Sequence, residues 1–219
     1  IGEDLSKIDK YYDFGCRHAM LTWNEANALG AGALSGQSYG LTAAGKEAAK
    51  LIQAKGMLLA VSHLNDAGFW DIVKLAKKPI VASHSNSRVM CDVPRNLTDD
   101  QLRAIRDLDG VVGLNSFNIF VDHDPAKQTV ENLARHAEHM IDIMGIDHVG
   151  CGFDFFEFIE DEETMGSMAA SSTPAVKGMD DASQIPNLFK VFEKMGLSQE
   201  ERDKIARLNF QAVVKKTIG

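Results

Sequence analysis

Three apolar runs in this chain, separated by stretches with helical spacing, each end in a side chain that can bind a metal ion. They are Met57-Leu58-Leu59-Ala60-Val61-Ser62-His63, Pro79-Ile80-Val81-Ala82-Ser83-His84 and His148-Val149-Gly150-Cys151-Gly152-Phe153-Asp154. A short continuous apolar run reads as a parallel strand buried on both faces. Polar side chains at the C-terminal ends of such strands are where βα-barrel enzymes hold their chemistry. One strand-end histidine would carry little weight, because most are structural. The repeated His, His, Asp endings point to a metal-dependent hydrolase.

Two further runs, residues 16–23 and 111–117, complete a set of five strands. Helical spacing marks residues 42–55, 66–77, 98–108 and 129–144 between them, with a short helix at 6–12 and two more at 185–195 and 198–214. Thr98 with Gln101, and Ser198 with Glu201, form capping-box pairs at two helix starts. Residues 24–40 are rich in Gly, Ala, Ser and Asn and read as a long loop with a function. Residues 155–183 are irregular, a length that is unusual without function or disorder. Strand–helix alternation implies parallel strands and right-handed crossovers. There is no glycine-rich phosphate loop, so an open doubly wound sheet would lack its usual nucleotide signature, and the catalytic-type residues on three strand ends favour a (β/α)8 barrel of the TIM type. A full barrel takes about 250 residues. The 219 residues here therefore read as one partial barrel domain, 1–219, holding the later five units.

The net charge of −8 argues against a nucleic-acid partner, which would show as a basic patch. No stretch of about 18 apolar residues is present to span a membrane. Cys16, Cys91 and Cys151 are odd in number and lack CxxC spacing, so a reduced, cytoplasmic setting is expected. Cys151 reads as a small apolar strand residue. His136 and His139 lie three apart on the 129–144 helix and read as packing or surface residues, while His18, His123 and His148 suggest no chemistry. The chain begins at Ile1 rather than Met, which suggests a fragment of a longer protein.

In order and spacing, Val61-Ser62-His63, Ser83-His84-Ser85-Asn86, Pro94-Arg95-Asn96-Leu97-Thr98-Asp99 and Gly152-Phe153-Asp154-Phe155 resemble the membrane dipeptidase (renal dipeptidase) family of zinc peptidases. Its bacterial members are the most similar, through Ala19-Met20-Leu21-Thr22-Trp23-Asn24. The resemblance implies a zinc dipeptidase with a binuclear metal site, in which a metal-bridging hydroxide attacks the peptide carbonyl of a small dipeptide. His63 and His84 match the histidines that hold one zinc. Asp154 matches the aspartate on the other, with a share in proton transfer. Arg95 matches the arginine that receives the substrate carboxylate, and Trp23 stands where substrate contact is expected. Neutral imidazole and carboxylate suit zinc, and the arginine fork suits a carboxylate.

Three departures bear on this reading. The family's His-x-Asp motif and its bridging Glu have no counterpart and would lie before Ile1. The family's Leu-Thr-His is Leu21-Thr22-Trp23, and indole offers only one N–H donor. The usual Asp-Phe-Asp-Gly loop is Asp154-Phe155-Phe156-Glu157. A catalytically incomplete remnant acting as a binding or structural module, and a different amidohydrolase on the same barrel, are the competing expectations. Five strands leave open sheet edges, so the isolated chain is expected to be poorly stable, homo-oligomeric, or completed by a further segment.

Overall fold

The computed structural model of the chain describes residues 1–155 and 175–219. Five strands form one parallel sheet in sequential order: β1 (His18–Met20), β2 (Leu58–Ala60), β3 (Ile80–Ala82), β4 (Val111–Leu114) and β5 (Val149–Cys151). Their register pairs Leu59 with Ile80, Val81 with Val111, and Leu114 with Cys151. A helix follows each of the first four strands: α2 (Ala43–Ala54), α3 (Asp66–Leu75), α4 (Asp99–Asp107) and α5 (Val130–Met144). The short α1 (Lys7–Asp13) precedes β1. α6 (Ile185–Lys194), α7 (Gln199–Asp203) and α8 (Asn209–Ile218) complete the chain, with a π-helical stretch, Lys204–Leu208, joining α7 to α8. The fold is α/β of the TIM-barrel kind, and β1 and β5 are the sheet's two edges among the described residues.

Local sequence places the helix starts. Thr42, Asn65, Thr98, Thr129 and Ser198 each accept a backbone N–H three residues on. Such a cap is worth about 1 kcal/mol. Thr98 and Ser198 form the reciprocal boxes expected of them.

Strand alternation sends side chains to two cores. Leu59, Ile80, Ala82, Val112, Leu114 and Val149 pack against helix residues that include Ile52, Phe69, Ile72, Leu102, Ile105 and Leu133. Leu58, Ala60, Val81 and Val111 face the other way and meet Val213, Phe210 and Ile218 of the C-terminal helix. Fully burying each aliphatic side chain contributes roughly 1.5–3 kcal/mol, so both faces hold the sheet. α8 lies at the strands' N-terminal ends. Asn209 Nδ2 donates to the Ile146 and Val149 carbonyls, at 2.7 Å each, and Lys216 pairs with Asp109 just before β4. The opposite, C-terminal end of the inner face remains for the functional residues.

The strands are shorter than the apolar runs that encode them. The sheet bonds only three or four residues of each run, and the polar ends turn out of the ladder. Leu64 N–H, for example, donates back to the Val61 carbonyl at 3.0 Å, which places His63 in a turn. The final helix, expected to run unbroken over 198–214, contains the π-helical stretch and reaches Ile218. Of the irregular segment 155–183, residues 156–174 lie outside the described residues, as do Phe156 and Glu157 of the altered loop.

Candidate active site

His63, His84 and Asp154 come together beyond the C-terminal ends of β2, β3 and β5. The Nε2 atoms of His63 and His84 stand 2.7 Å apart, and Asp154 Oδ2 lies 3.9 Å from His84 Nε2. The histidines follow neighbouring strands. Asp154 belongs to a strand once removed, with β4 between, and a close backbone approach brings it in. A Cβ on Gly152 would overlap the carbonyl oxygen of Ser83, so only glycine lets the β5 end reach the β3 end across β4. Asp154 itself adopts φ 61°, a left-handed conformation that costs a non-glycine residue energy and that Asp tolerates better than most. Strain of this kind concentrates at functional sites.

Serines tie the strand ends in register. His84 N–H donates to Ser62 Oγ at 3.0 Å, and Ser83 Oγ lies 2.8 Å from His84 Nδ1. Thr22 Oγ1 and Ala33 N–H both donate to the His63 carbonyl, at 3.3 and 2.8 Å.

Arg95 arrives from the loop between β3 and α4. That loop is folded by amides: Asn86 exchanges hydrogen bonds with the Asn115 backbone at 2.9 and 3.0 Å, and Asn96 Nδ2 donates to the Cys91 and Phe120 carbonyls. Arg95 is 3% exposed, so it is not a surface cation. Its guanidinium donates to the Ser62 carbonyl, sits 3.1 Å from His63 Nε2 and lies 5.4 Å from the Phe120 ring centre. Trp23 stands at the rim, 43% exposed, with its ring centre 6.2 Å from that of His63.

The electrostatics keep both imidazoles neutral. Burial, then Arg95, then His84 hold His63 down at about 2. Burial also lowers His84 to about 4, with Asp154 pulling it upward and Arg95 pressing it further down. Burial brings Arg95 to about 10, so it stays cationic near neutral pH.

Neutral imidazoles are the form that donates a lone pair to a metal. Two histidines at 2.0–2.1 Å from one zinc in tetrahedral geometry would have nitrogens roughly 3.3 Å apart. The observed pair is slightly closer, and a small ring movement would admit an ion. The donor chemistry fits a divalent metal, but the set is partial. Among the described residues no group of three His, Cys, Asp or Glu side chains could hold a metal ion.

The other singled-out residues stay away from this chemistry. His136 is fully buried, with Nδ1 facing the Ser87 N–H at 3.2 Å and Nε2 donating to the Val121 carbonyl at 2.8 Å. His139 Nε2 bonds Asp99 at 2.8 Å. Burial raises the Cys151 thiol to about 12, which makes it inert. Asn24, Ser62 and Ser83 were not singled out by sequence. Their signal was a place within the quoted motifs, beside Trp23, His63 and His84.

The profile of the membrane dipeptidase family (peptidase family M19) matches residues 1–218. A Klebsiella pneumoniae protein from the region 5′ of pqqA is 36% identical over 224 residues, covering 98% of this chain and 76% of its own. An uncharacterized dipeptidase of Schizosaccharomyces pombe is 30% identical, covering 97% of this chain and 49% of its own. Among solved structures, a Rhodobacter sphaeroides metallo peptidase bound to a phosphinate mimic of the dipeptide L-Ala-D-Ala superimposes with a TM-score of 0.86 at 30% identity. That match covers 99% of this chain and 60% of the other. A profile that matches residues 1–218 shows the family: the chain belongs to the membrane dipeptidase family, peptidase family M19.

Proposed function

We propose that this protein is a zinc-dependent dipeptidase that hydrolyses the single peptide bond of small dipeptides. The observation that carries the reading is the pair of neutral imidazoles, Nε2 to Nε2 at 2.7 Å, with a buried guanidinium 3.1 Å from one of them. The dipeptide mimic held by the Rhodobacter relative supports the substrate class.

In this reading His63 and His84 hold one zinc and Asp154 contributes to the second position. A binuclear zinc site, when bound, supplies the hydroxide nucleophile and polarises the scissile carbonyl. Arg95 fastens the substrate's C-terminal carboxylate with two parallel N–H donors, and this limits the site to short peptides. Trp23 forms one wall beside the reacting bond. Asp154 takes up one proton of the water that becomes the hydroxide and passes it to the amine that leaves, so hydroxyl ends on the acyl carbon and hydrogen on nitrogen.

The test combines metal analysis of the purified full-length protein with hydrolysis assays on a dipeptide panel, run beside lactones and cyclic amides. Bound zinc and dipeptide cleavage are expected. Cleavage of only the lactones or cyclic amides would move the protein to another amidohydrolase activity. Absence of both metal and turnover would leave the incomplete remnant.

A further inference from the structure

The loop over residues 24–40 plays no part in the roles just assigned, yet it sets Asn24 against the back of the His63 ring. Asn24 Oδ1 lies 3.0 Å from His63 Nδ1. The far side of the ring decides which nitrogen carries the proton. Arg95 Nη2 is 3.1 Å from His63 Nε2, and a guanidinium can only donate. His63 Nε2 must therefore present its lone pair, and the proton resides on Nδ1. Asn24 accepts that proton through its amide oxygen.

Asn24 is itself held in place. Leu34 N–H donates to the Asn24 carbonyl at 2.9 Å, and Gly32 N–H donates to the Glu25 carbonyl at 3.1 Å. A Cβ on Gly32 would overlap the Trp23 and Asn24 backbone, so the loop can fold back this tightly only with glycine there. Ala33 N–H then reaches the His63 carbonyl at 2.8 Å, which joins loop and histidine through backbone as well as side chain.

We propose that Asn24 is a positioning residue that locks His63 in its Nδ1–H tautomer and so aims the Nε2 lone pair into the site. What Nε2 binds rests on the metallopeptidase reading; the tautomer does not. His84 differs. Its Nε2 lies 2.7 Å from the His63 Nε2 lone pair and so carries the proton here, while the Ser83 hydroxyl, 2.8 Å from its Nδ1, can donate now and accept once Nε2 gives that proton up. One histidine is preset and the other adjusts. Partners of this kind on the distal nitrogen of a ligating histidine are worth roughly 10- to 100-fold in metal affinity.

Two measurements on the full-length protein test this. Nitrogen-15 NMR of the metal-free wild type, with the His63 resonances assigned through their loss in His63→Gln, should show the proton on Nδ1. Zinc titration against a competing chelator should show Asn24→Ala binding about 10- to 100-fold more weakly, while Asn24→Asp, which keeps the acceptor, binds as tightly as wild type or tighter. A proton on Nε2 in the wild type would overturn the proposal. So would zinc affinity unchanged in Asn24→Ala, or reduced equally in Asn24→Ala and Asn24→Asp. If the wild type binds no zinc, the metallopeptidase reading fails and the tautomer measurement alone decides the role of Asn24.

Discussion

At the scale of single residues, burial converts ordinary side chains into specialised ones. Arg95 is kept from water and donates to the Ser62 carbonyl and to His63 at once. Lysine offers one point charge in place of a planar fork. Arg95→Lys should therefore raise KM for dipeptides and lower kcat/KM by about 10- to 100-fold, the size of one strong charge-assisted hydrogen bond. Steady-state kinetics check it, and unchanged constants would remove Arg95 from the site. His136 shows burial acting on stability. Its imidazole is held below the ordinary value by burial, against the opposing pull of its bond to the Val121 carbonyl. Above pH 6.5 the folded and unfolded chains are both neutral there. Below it the unfolded chain takes up a proton more readily than the folded one, so stability falls as pH falls, by at most about 1.4 kcal/mol per pH unit. Urea denaturation between pH 7 and pH 5 should show this decline, with a shallower slope in His136→Gln. Equal slopes would exclude His136 as a source. His136 could be read from sequence only as one face of a helix. That its two nitrogens bond the chain at Ser87 and Val121 depends on residues far along the sequence.

Elements meet the site through backbone geometry that local sequence signals only in part. The caps were legible, because Thr98 and Gln101 stand in reciprocal spacing and need no distant partner. Thr98→Ala should cost about 1 kcal/mol, measurable as a shift in the urea midpoint at constant slope. The approach of β5 to β3 was not legible. Gly152 sits in an apolar run like any strand glycine, and only the folded sheet shows the Ser83 carbonyl where its Cβ would be. Gly152→Ala should push the two strand ends apart, destabilise the fold by about 1–3 kcal/mol and carry Asp154 away from His84. Zinc titration and thermal melting together test this. A variant that melts and binds zinc like wild type would show that the sheet has room to spare. The strand ends themselves were read too long, since an apolar run does not reveal where the ladder stops and the turn begins.

At the scale of the molecule, β1 and β5 leave their outer edges without strand partners among the described residues, and β1 also exposes Met20. Unpaired edges invite association. Residues 1–219 produced alone should run larger than a monomer on size-exclusion chromatography or melt with low cooperativity. A monomer with a single sharp transition would show that these edges are closed in some other way. Sequence by itself determined the βα alternation, the parallel sheet, the helix caps and His63, His84 and Asp154 as strand-end residues to watch, whereas Arg95 entered only through the resemblance to the dipeptidase family. These depend on periodicity, local hydrogen bonding and side-chain chemistry, all written within a few residues. Only the tertiary structure decided that Asn24 backs His63, that Gly152 brings Asp154 across β4, and that α8 closes the opposite end of the sheet. Those contacts join positions between 39 and 155 residues apart, as with Asn24 to His63 and Leu58 to Val213, and no local pattern encodes them.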